Sequence, residues 1–467
     1  MDEGITYEVI CRPFREMLHE VFFRGNAVSG MPLYLIMEFF WCRIFGFSEY
    51  ALRSMNLVIA VLYLLAVVKL IRYYHLPSWS LLVFVFNPVF LYYMNEARPY
   101  VGIIVFGLWC FYCLCMFYEN GKKRYLFCFF AWFWLGCAIH MMFVFMGIAY
   151  VCMILFQIRK HNLNLKHHIL AWFCCFPLFI PLAILYIRLV FYAPELNAVH
   201  PKPLAGILQI IYFFAGLGGI GWSRNALRCM DLSASFRIYS GLFLSMLCYL
   251  AVFFFFVRNK MINNPKIRFL IICCGSVLFL FIVANVIIKT LFWERHISFI
   301  LPAFVLLIVY VCADMLDGKN PLWIRISAVL MLILQCYSGI SIMLLDYYQK
   351  DDYRGAVEAA RRMNPDHILF EGHKETFDYY GLNGSWAENL SEDDYSIENV
   401  NISTASKDVY ESILNRIQGR IVLILCEKEE FDALGLYRQL SNKGTRFHSF
   451  SVVLPDDADS SDVIRRP

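Results

Sequence analysis

Charge is what this sequence has least of. Only 17% of its 467 residues are Asp, Glu, Lys or Arg, against 60% hydrophobic and 17% aromatic. A chain that apolar cannot coat a single water-soluble domain with polar side chains. Other absences narrow the class further. No Cys-x-x-Cys pair is joined by His at zinc-site spacing and no Walker-type glycine loop is present, which argues against a zinc module and a nucleotide-driven pump. The chain opens on carboxylates where a basic n-region would stand, so no cleavable signal peptide is expected. No internal repeat of the kind carried by many transporters is visible. Cysteine is not scarce, at 17 residues. Cys110, Cys113, Cys115, Cys128, Cys137, Cys174, Cys175, Cys273 and Cys274 all lie within apolar runs, however, and read as small packing residues rather than a disulfide framework.

What is present is a series of apolar runs near the ~20 helical residues that a hydrocarbon core of about 30 Å requires. Spans are expected at about 51–71, 79–94, 99–118, 125–139, 141–158, 169–191, 236–257, 268–288, 297–312 and 322–345. Residues 1–50 read as amphipathic and non-spanning. Phe14, Met17, Leu18, Val21 and Phe22 recur at helical spacing among Arg15, Glu16, His19 and Glu20, and 32–45 keeps Glu38 and Arg43 among aromatics. The basic loops, Lys122-Lys123-Arg124, Arg159-Lys160 with Lys166, Arg258 to Arg268, and Lys319 with Arg325, should all be cytoplasmic. Keeping them there requires the glycine-rich stretch 204–222 to be re-entrant rather than spanning. Asp2, Glu3, Glu96, Arg98, His140, His200, Glu294, Arg295 and His296 then face the extracytoplasmic side.

Residues 346–467 hold 23 acidic and 14 basic side chains, against 14 and 27 in the first 345, so the tail is a separate acidic unit. Helical 353–363 leads to the strand-like 367–370, and helical 408–417 to 421–425. A helix over 431–442 precedes an alternating stretch, 447–453. That order favours a small, largely parallel sheet. The last dozen residues, rich in Asp and Ser, should be disordered. Asn383, Asn389 and Asn401 each open an Asn-x-Ser acceptor pattern. The expected domains are therefore a loop with an acidic pair (1–50), a transmembrane helical domain (51–345) and a soluble extracytoplasmic α/β domain (346–467).

The order of short motifs carries a resemblance. Asp2-Glu3, then Met31-Pro32-Leu33-Tyr34, then Phe45-Gly46-Phe47-Ser48-Glu49-Tyr50-Ala51-Leu52-Arg53, then Glu96-Ala97-Arg98-Pro99-Tyr100, resemble the first half of GT-C-fold glycosyltransferases. The group is glycosyltransferase family 39 in the broad sense, which includes protein O-mannosyltransferases and lipid A aminoarabinose transferases. Trp293 to Pro302 and Asp352-Tyr353-Arg354-Gly355 are similar to its bacterial members, and the resemblance covers about residues 1–360. The sequence departs from the family in starting almost at the acidic pair, and in carrying Ser29-Gly30-Met31 where a basic residue or His and an extra proline are usual.

The resemblance implies a GT-C-like polytopic α-helical membrane protein of a bacterial cell membrane. Its activity would be inverting transfer of a sugar from a polyprenyl phosphate to a hydroxyl of a lipid, glycan or protein acceptor, with no role for nucleic acid. Such chemistry needs a carboxylate to take the acceptor proton and cations to stabilise the leaving phosphate. Asp2 is the candidate base and Glu3 its neighbour. Glu3 and Glu96 are candidates to orient the acceptor or to hold a divalent cation, the one cofactor suggested. Arg98, Arg295 and His296 are candidates for the phosphate, with Tyr100 beside them, since Arg suits bidentate binding. Each has a plainer reading: a solvated terminus for Asp2-Glu3, a helix-capping ion pair for Glu96 and Arg98, interfacial anchors for Arg295 and His296, and a structural role for His140. A transporter or flippase of a lipid-linked sugar, or a non-catalytic assembly subunit, are the rival functions.

This topology is testable. A reporter fused at residue 400 should score as extracytoplasmic; a cytoplasmic score would remove the shared side on which the site assignment depends.

Overall fold

The computed structural model describes residues 2–23, 30–159, 165–192, 203–228, 236–288 and 294–345, and in the tail 352–372, 374–382, 385–386, 399–403, 406, 410, 413, 420–426, 436, 445–447 and 450–453. The chain divides into two compact units. One comprises Val9–Leu227 with Leu232–Leu344; the other comprises Met1–Glu8, Arg228–Asp231 and Leu345–Pro467.

The first unit is helical. Three short helices come first, α1 (Asp2–Cys11, whose first residues belong to the other unit), α2 (Phe14–Phe23) and α3 (Pro32–Phe45), and the first long apolar helix is α4 (Glu49–Tyr73). Ser48 caps α4 by accepting the Ala51 N–H at 3.2 Å. Trp41 ties α3 to it, donating Nε1–H to the Ala51 carbonyl at 3.0 Å and to Ser54 Oγ at 2.9 Å. The stretch expected to span at 79–94 is instead two short helices, α5 (Ser80–Val85) and α6 (Pro88–Met94). The cause is local. Pro88 cannot continue a hydrogen-bond ladder, and Asn87 Oδ1 accepts from the N–H groups of Val89 and Phe90, each at 3.1 Å, starting a new helix there.

Next come α7 (Tyr100–Asn120), α8 (Lys123–Ile139), a 3₁₀ turn at Met141–Met146 running into α9 (Gly147–Arg159), and α10 (Leu165–Tyr192). They are followed by α11 (Pro203–Phe214), α12 (Arg224–Arg228), α13 (Phe236–Arg258), α14 (Pro265–Ile288), a 3₁₀ segment at Glu294–Ile300 running into α15 (Leu301–Met315), and α16 (Leu322–Leu344). Among the described residues, eight helices are long and apolar enough to cross a membrane. The 17 residues of α8 fall just short of that set. At 12 residues, α11 is about 18 Å long, too short to cross on its own. Outward faces are apolar, as a hydrocarbon solvent requires: α4 exposes Leu57, Val58, Val61 and Leu65, and α13 exposes Phe243, Leu250, Phe253 and Phe254.

Helix α7 is the most enclosed of these helices, with Tyr100 to Leu108 buried without a break. Gly107 matters here because the Glu294–Ile300 segment lies directly on α7. A Cβ at Gly107 would overlap the Phe299 carbonyl oxygen. Gly219 plays the same part elsewhere: its N–H donates to Ser338 Oγ of α16 at 2.9 Å, and a Cβ would overlap the Ser338 carbonyl.

The second unit holds a six-stranded mixed sheet in the order β2-β3-β1-β4-β6-β5. Its strands are β1 (His367–Phe370), β2 (Ser385–Trp386), β3 (Asn399–Asn401), β4 (Ile421–Cys426), β5 (Thr445–Phe447) and β6 (Phe450–Val453). Strands β1 to β4 are parallel to one another, while β6 runs antiparallel to β4 and to β5. The alternating stretch 447–453 is thus not one strand: Phe447 pairs with Phe450 across a reversal, which alternation alone does not register. Helix α17 (Tyr353–Arg362), capped by Asp352 Oδ1 on the Gly355 N–H at 2.8 Å, buries Tyr353, Ala356, Val357 and Ala360 in the core of this unit. The Tyr353 ring meets Phe377 of α18 (Lys374–Tyr379) and Phe450, at 4.9 and 4.6 Å between centroids. Asn401 is fully buried and donates to the Gly372 carbonyl at 3.0 Å, so it is no glycan acceptor in the folded chain. The other two acceptor patterns, the helices expected at 408–417 and 431–442 for the most part, and the last dozen residues lie outside the described residues.

Gly107→Val should destabilise the detergent-purified protein by roughly 1–3 kcal/mol through overpacking, read as a lower thermal midpoint. Gly275→Val, at a glycine with nothing within 4 Å of its missing Cβ, serves as the control and should not.

Candidate active site

The helical unit gathers its scarce charge in one place. The turn between α6 and α7 carries Glu96 and Arg98. It forms because Asn95 closes α6, the Arg98 N–H folds back on the Glu96 carbonyl at 2.8 Å, and Pro99 biases Arg98 away from helix before α7 starts. Asn56, fully buried in α4, secures that turn by donating Nδ2–H to the Glu96 carbonyl and, at 3.4 Å, to that of Met94. A buried amide inside an apolar helix needs such a partner.

The second contributor is the Glu294–Ile300 segment, placed by Gly107. Glu294 is 1% exposed. Its Oε1 accepts the Tyr93 hydroxyl at 3.0 Å and lies 3.1 Å from Arg224 Nη2. Arg224 comes from a third region. The glycine-rich stretch before it is fixed to its neighbours: the Ala215 carbonyl accepts from Tyr249 at 2.6 Å and from Gln335 at 2.9 Å, and Ser223 Oγ caps α12 on the Ala226 N–H at 3.2 Å. Arg224, 8% exposed, also approaches Glu96 Oε1 at 3.9 Å, and its guanidinium lies 5.1 and 5.7 Å from the Tyr92 and Tyr93 ring centroids. Burial alone would lower its pKa; Glu294 and Glu96 more than offset that and keep it charged.

Beside this pair is a cationic group. Arg98 and Arg295 both lie on the Tyr100 ring, at 5.9 and 5.6 Å from its centroid. The His140 ring is 5.9 Å from that of Tyr100 and 5.7 Å from that of His296. His140 Nδ1 accepts the Met142 N–H at 3.2 Å, which leaves the proton on Nε2. Burial, with the two nearby arginines, pushes its pKa down to about 3, so it is neutral at physiological pH.

The structure brings Glu96, Arg98, Tyr100, Arg295 and His296 into one region of the helical unit. Asp2 and Glu3 open α1, and the first eight residues group with the tail, where Tyr7 packs edge-on against Tyr379 at 4.5 Å. The side chains of Asp2 and Glu3, and all of His200, lie outside the described residues. Among the described residues no three His, Cys, Asp or Glu side chains converge as metal ligands. Motif reading does not reach Arg224, and it gives Glu294 no role. The available signal was physical: an arginine following an apolar, glycine-rich run is costly near a membrane and marks function by default.

No family model and no curated protein matches the chain. Among solved structures, it is similar to the apo crystal structure of ArnT from Cupriavidus metallidurans, with a TM-score of 0.49 and 11% identity, over 98% of this chain and 93% of that one. It is also similar to the same enzyme bound to undecaprenyl phosphate, with a TM-score of 0.36 and 11% identity, over 98% and 94%. At these scores neither likeness bears on the site, which stands on this chain's own residues.

The depressed pKa of His140 has a thermodynamic consequence. Below its unfolded value near 6.5 the unfolded chain takes up a proton that the folded chain refuses until about pH 3, so stability present above pH 6.5 is lost as pH falls toward 3. The thermal midpoint should be lower at pH 5 than at pH 7.5, and His140→Asn should show a smaller drop.

Proposed function

We propose that the chain is a membrane glycosyltransferase that moves a sugar from a polyprenyl-phosphate donor to a hydroxyl of a lipid, glycan or protein acceptor, on the extracytoplasmic face of a bacterial cell membrane. One observation carries the reading: Arg98 and Arg295, from distant parts of the chain, meet on one aromatic ring with His140 and His296 beside them. The two guanidinium groups lie 5.9 and 5.6 Å from the Tyr100 ring centroid, and an anion bound at this ring would take charge-assisted hydrogen bonds from both.

In this reaction the acceptor oxygen attacks the anomeric carbon and its proton passes to a carboxylate. The bond from that carbon to the phosphate oxygen breaks, the electron pair leaves with the polyprenyl phosphate, and the anomeric centre inverts. The resemblance gives the base to Asp2, with Glu3 at its side, and Arg98 and Arg295 hold the phosphate on which charge accumulates. A divalent cation at the carboxylates is part of the same expectation, and a chelator arm in the transfer assay checks it.

A transport reading has one observation in its favour, the broken helix at Asn87-Pro88, since discontinuous helices are common in transporters. The two separate on the product: transfer yields a sugar covalently joined to the acceptor, and transport only moves the lipid.

Arg98→Gln and Arg295→Gln should each weaken binding of polyprenyl phosphate by roughly tenfold to a hundredfold, the effect of one lost hydrogen bond to a charged group. Asp2→Asn should abolish transfer and leave that binding intact. Wild-type affinity in both arginine variants would sink the assignment.

A further inference from the structure

The phosphate group does not use all of the buried charge. Glu294 Oε1 is engaged by Tyr93 and Arg224, but its Oε2 has no hydrogen-bond partner among the described residues, although the side chain is 1% exposed. Arg224 Nε is likewise buried without a partner. Leaving a buried carboxylate oxygen without a partner costs on the order of 1–3 kcal/mol, and here an acceptor atom and a donor atom of one ion pair are both left open.

We propose that this pair reads the sugar of the donor: Glu294 Oε2 accepts a hydrogen bond from a ring hydroxyl, Arg224 Nε donates to a neighbouring one, and Glu294 is the specificity-determining residue. The inference rests on the glycosyl-transfer reading of the same site. A hydroxyl both donates and accepts, so adjacent hydroxyls of a sugar match an open carboxylate oxygen and an open N–H of one ion pair. An anion does not match, because the carboxylate repels it. An ammonium group is disfavoured as well, because the Glu294 charge is already countered by Arg224 at 3.1 Å and a further cation would face that guanidinium.

Geometry sets the direction of the donor. Glu294 and Arg295 are successive residues, and the Tyr93 and Tyr100 rings lie 5.0 Å apart. The hydroxyl-reading pair and the phosphate-reading pair are therefore immediate neighbours, as a sugar and the phosphate bonded to it must be.

The test is a paired titration of the full-length protein in lipid nanodiscs, with polyprenyl phosphate and with a panel of polyprenyl-phosphate hexoses and pentoses. Relative to wild type, Glu294→Gln should weaken the best sugar-bearing lipid at least tenfold and change polyprenyl phosphate by less than about twofold. Equal loss for both lipids, or loss for neither, would overturn the proposal and reduce Glu294 to a core ion pair. If Glu294→Gln does not accumulate because Arg224 is left uncompensated, the double variant Glu294→Gln/Arg224→Met removes both charges and should show the same selective loss. Failure of the wild-type protein to bind any of these lipids is a distinct result, which removes the glycosyl-transfer reading and this inference with it.

Discussion

The interaction on which this structure depends is the buried contact between Arg224 and Glu294. Two ions taken out of water are costly, and their attraction repays the desolvation only when geometry and further hydrogen bonds are good. Here Tyr93 supplies one such hydrogen bond, Glu96 a second carboxylate at longer range, and two tyrosine faces receive the guanidinium. An apolar core would be cheaper to build. A chain that is so sparing with charge and yet puts three ionised groups in one enclosed place keeps them for a purpose other than stability.

Holding those groups in register is the work of polar side chains set into otherwise apolar helices. Asn56 in α4 fixes the turn bearing Glu96 and Arg98, while Gln335 and Ser338 in α16 take up backbone groups of the glycine-rich run before Arg224. In each case the backbone has left the helix and its carbonyl or N–H needs a partner that hydrocarbon cannot provide. Irregular backbone is tolerated at these points because it is buried in protein, and it brings the charged side chains inward.

Much of the fold was legible because the membrane imposes it. Apolar runs of fixed length, separated by basic loops, follow from the hydrocarbon thickness, and the long helices fall close to where hydropathy puts them. Legibility failed where a run of the right hydrophobicity is cut by chemistry inside it, as at Asn87-Pro88, or where alternation conceals a reversal, as between Phe447 and Phe450. In the site, Glu96, Arg98, Arg295 and His296 could be found because each stands in a short motif at a helix boundary. Arg224 stands in none. Its place is set by tertiary contacts with α13 and α16 and by a carboxylate seventy residues further on, and no local pattern encodes a meeting of that kind.

The charge balance of the cluster bears on what it can do. Three arginines, Arg98, Arg224 and Arg295, face two glutamates, Glu96 and Glu294, while His140 stays neutral. These five side chains carry a surplus of one positive charge. On the proposed reading, the phosphate of a polyprenyl-phosphate sugar, a phosphodiester with one negative charge, is held by Arg98 and Arg295. When the bond to the sugar breaks, the phosphate becomes a monoester and its charge rises toward the roughly −1.5 to −2 typical of phosphate monoesters at pH 7. Donors fixed before the reaction then meet more charge than they met in the ground state, which is the condition for lowering a barrier rather than merely tightening binding. A protonated His140 would add a further cation and shift that preference toward the bound ground state. Neutrality, kept chiefly by burial with the charges of Arg98 and Arg295 adding to it, leaves it a hydrogen-bond donor at Nε2.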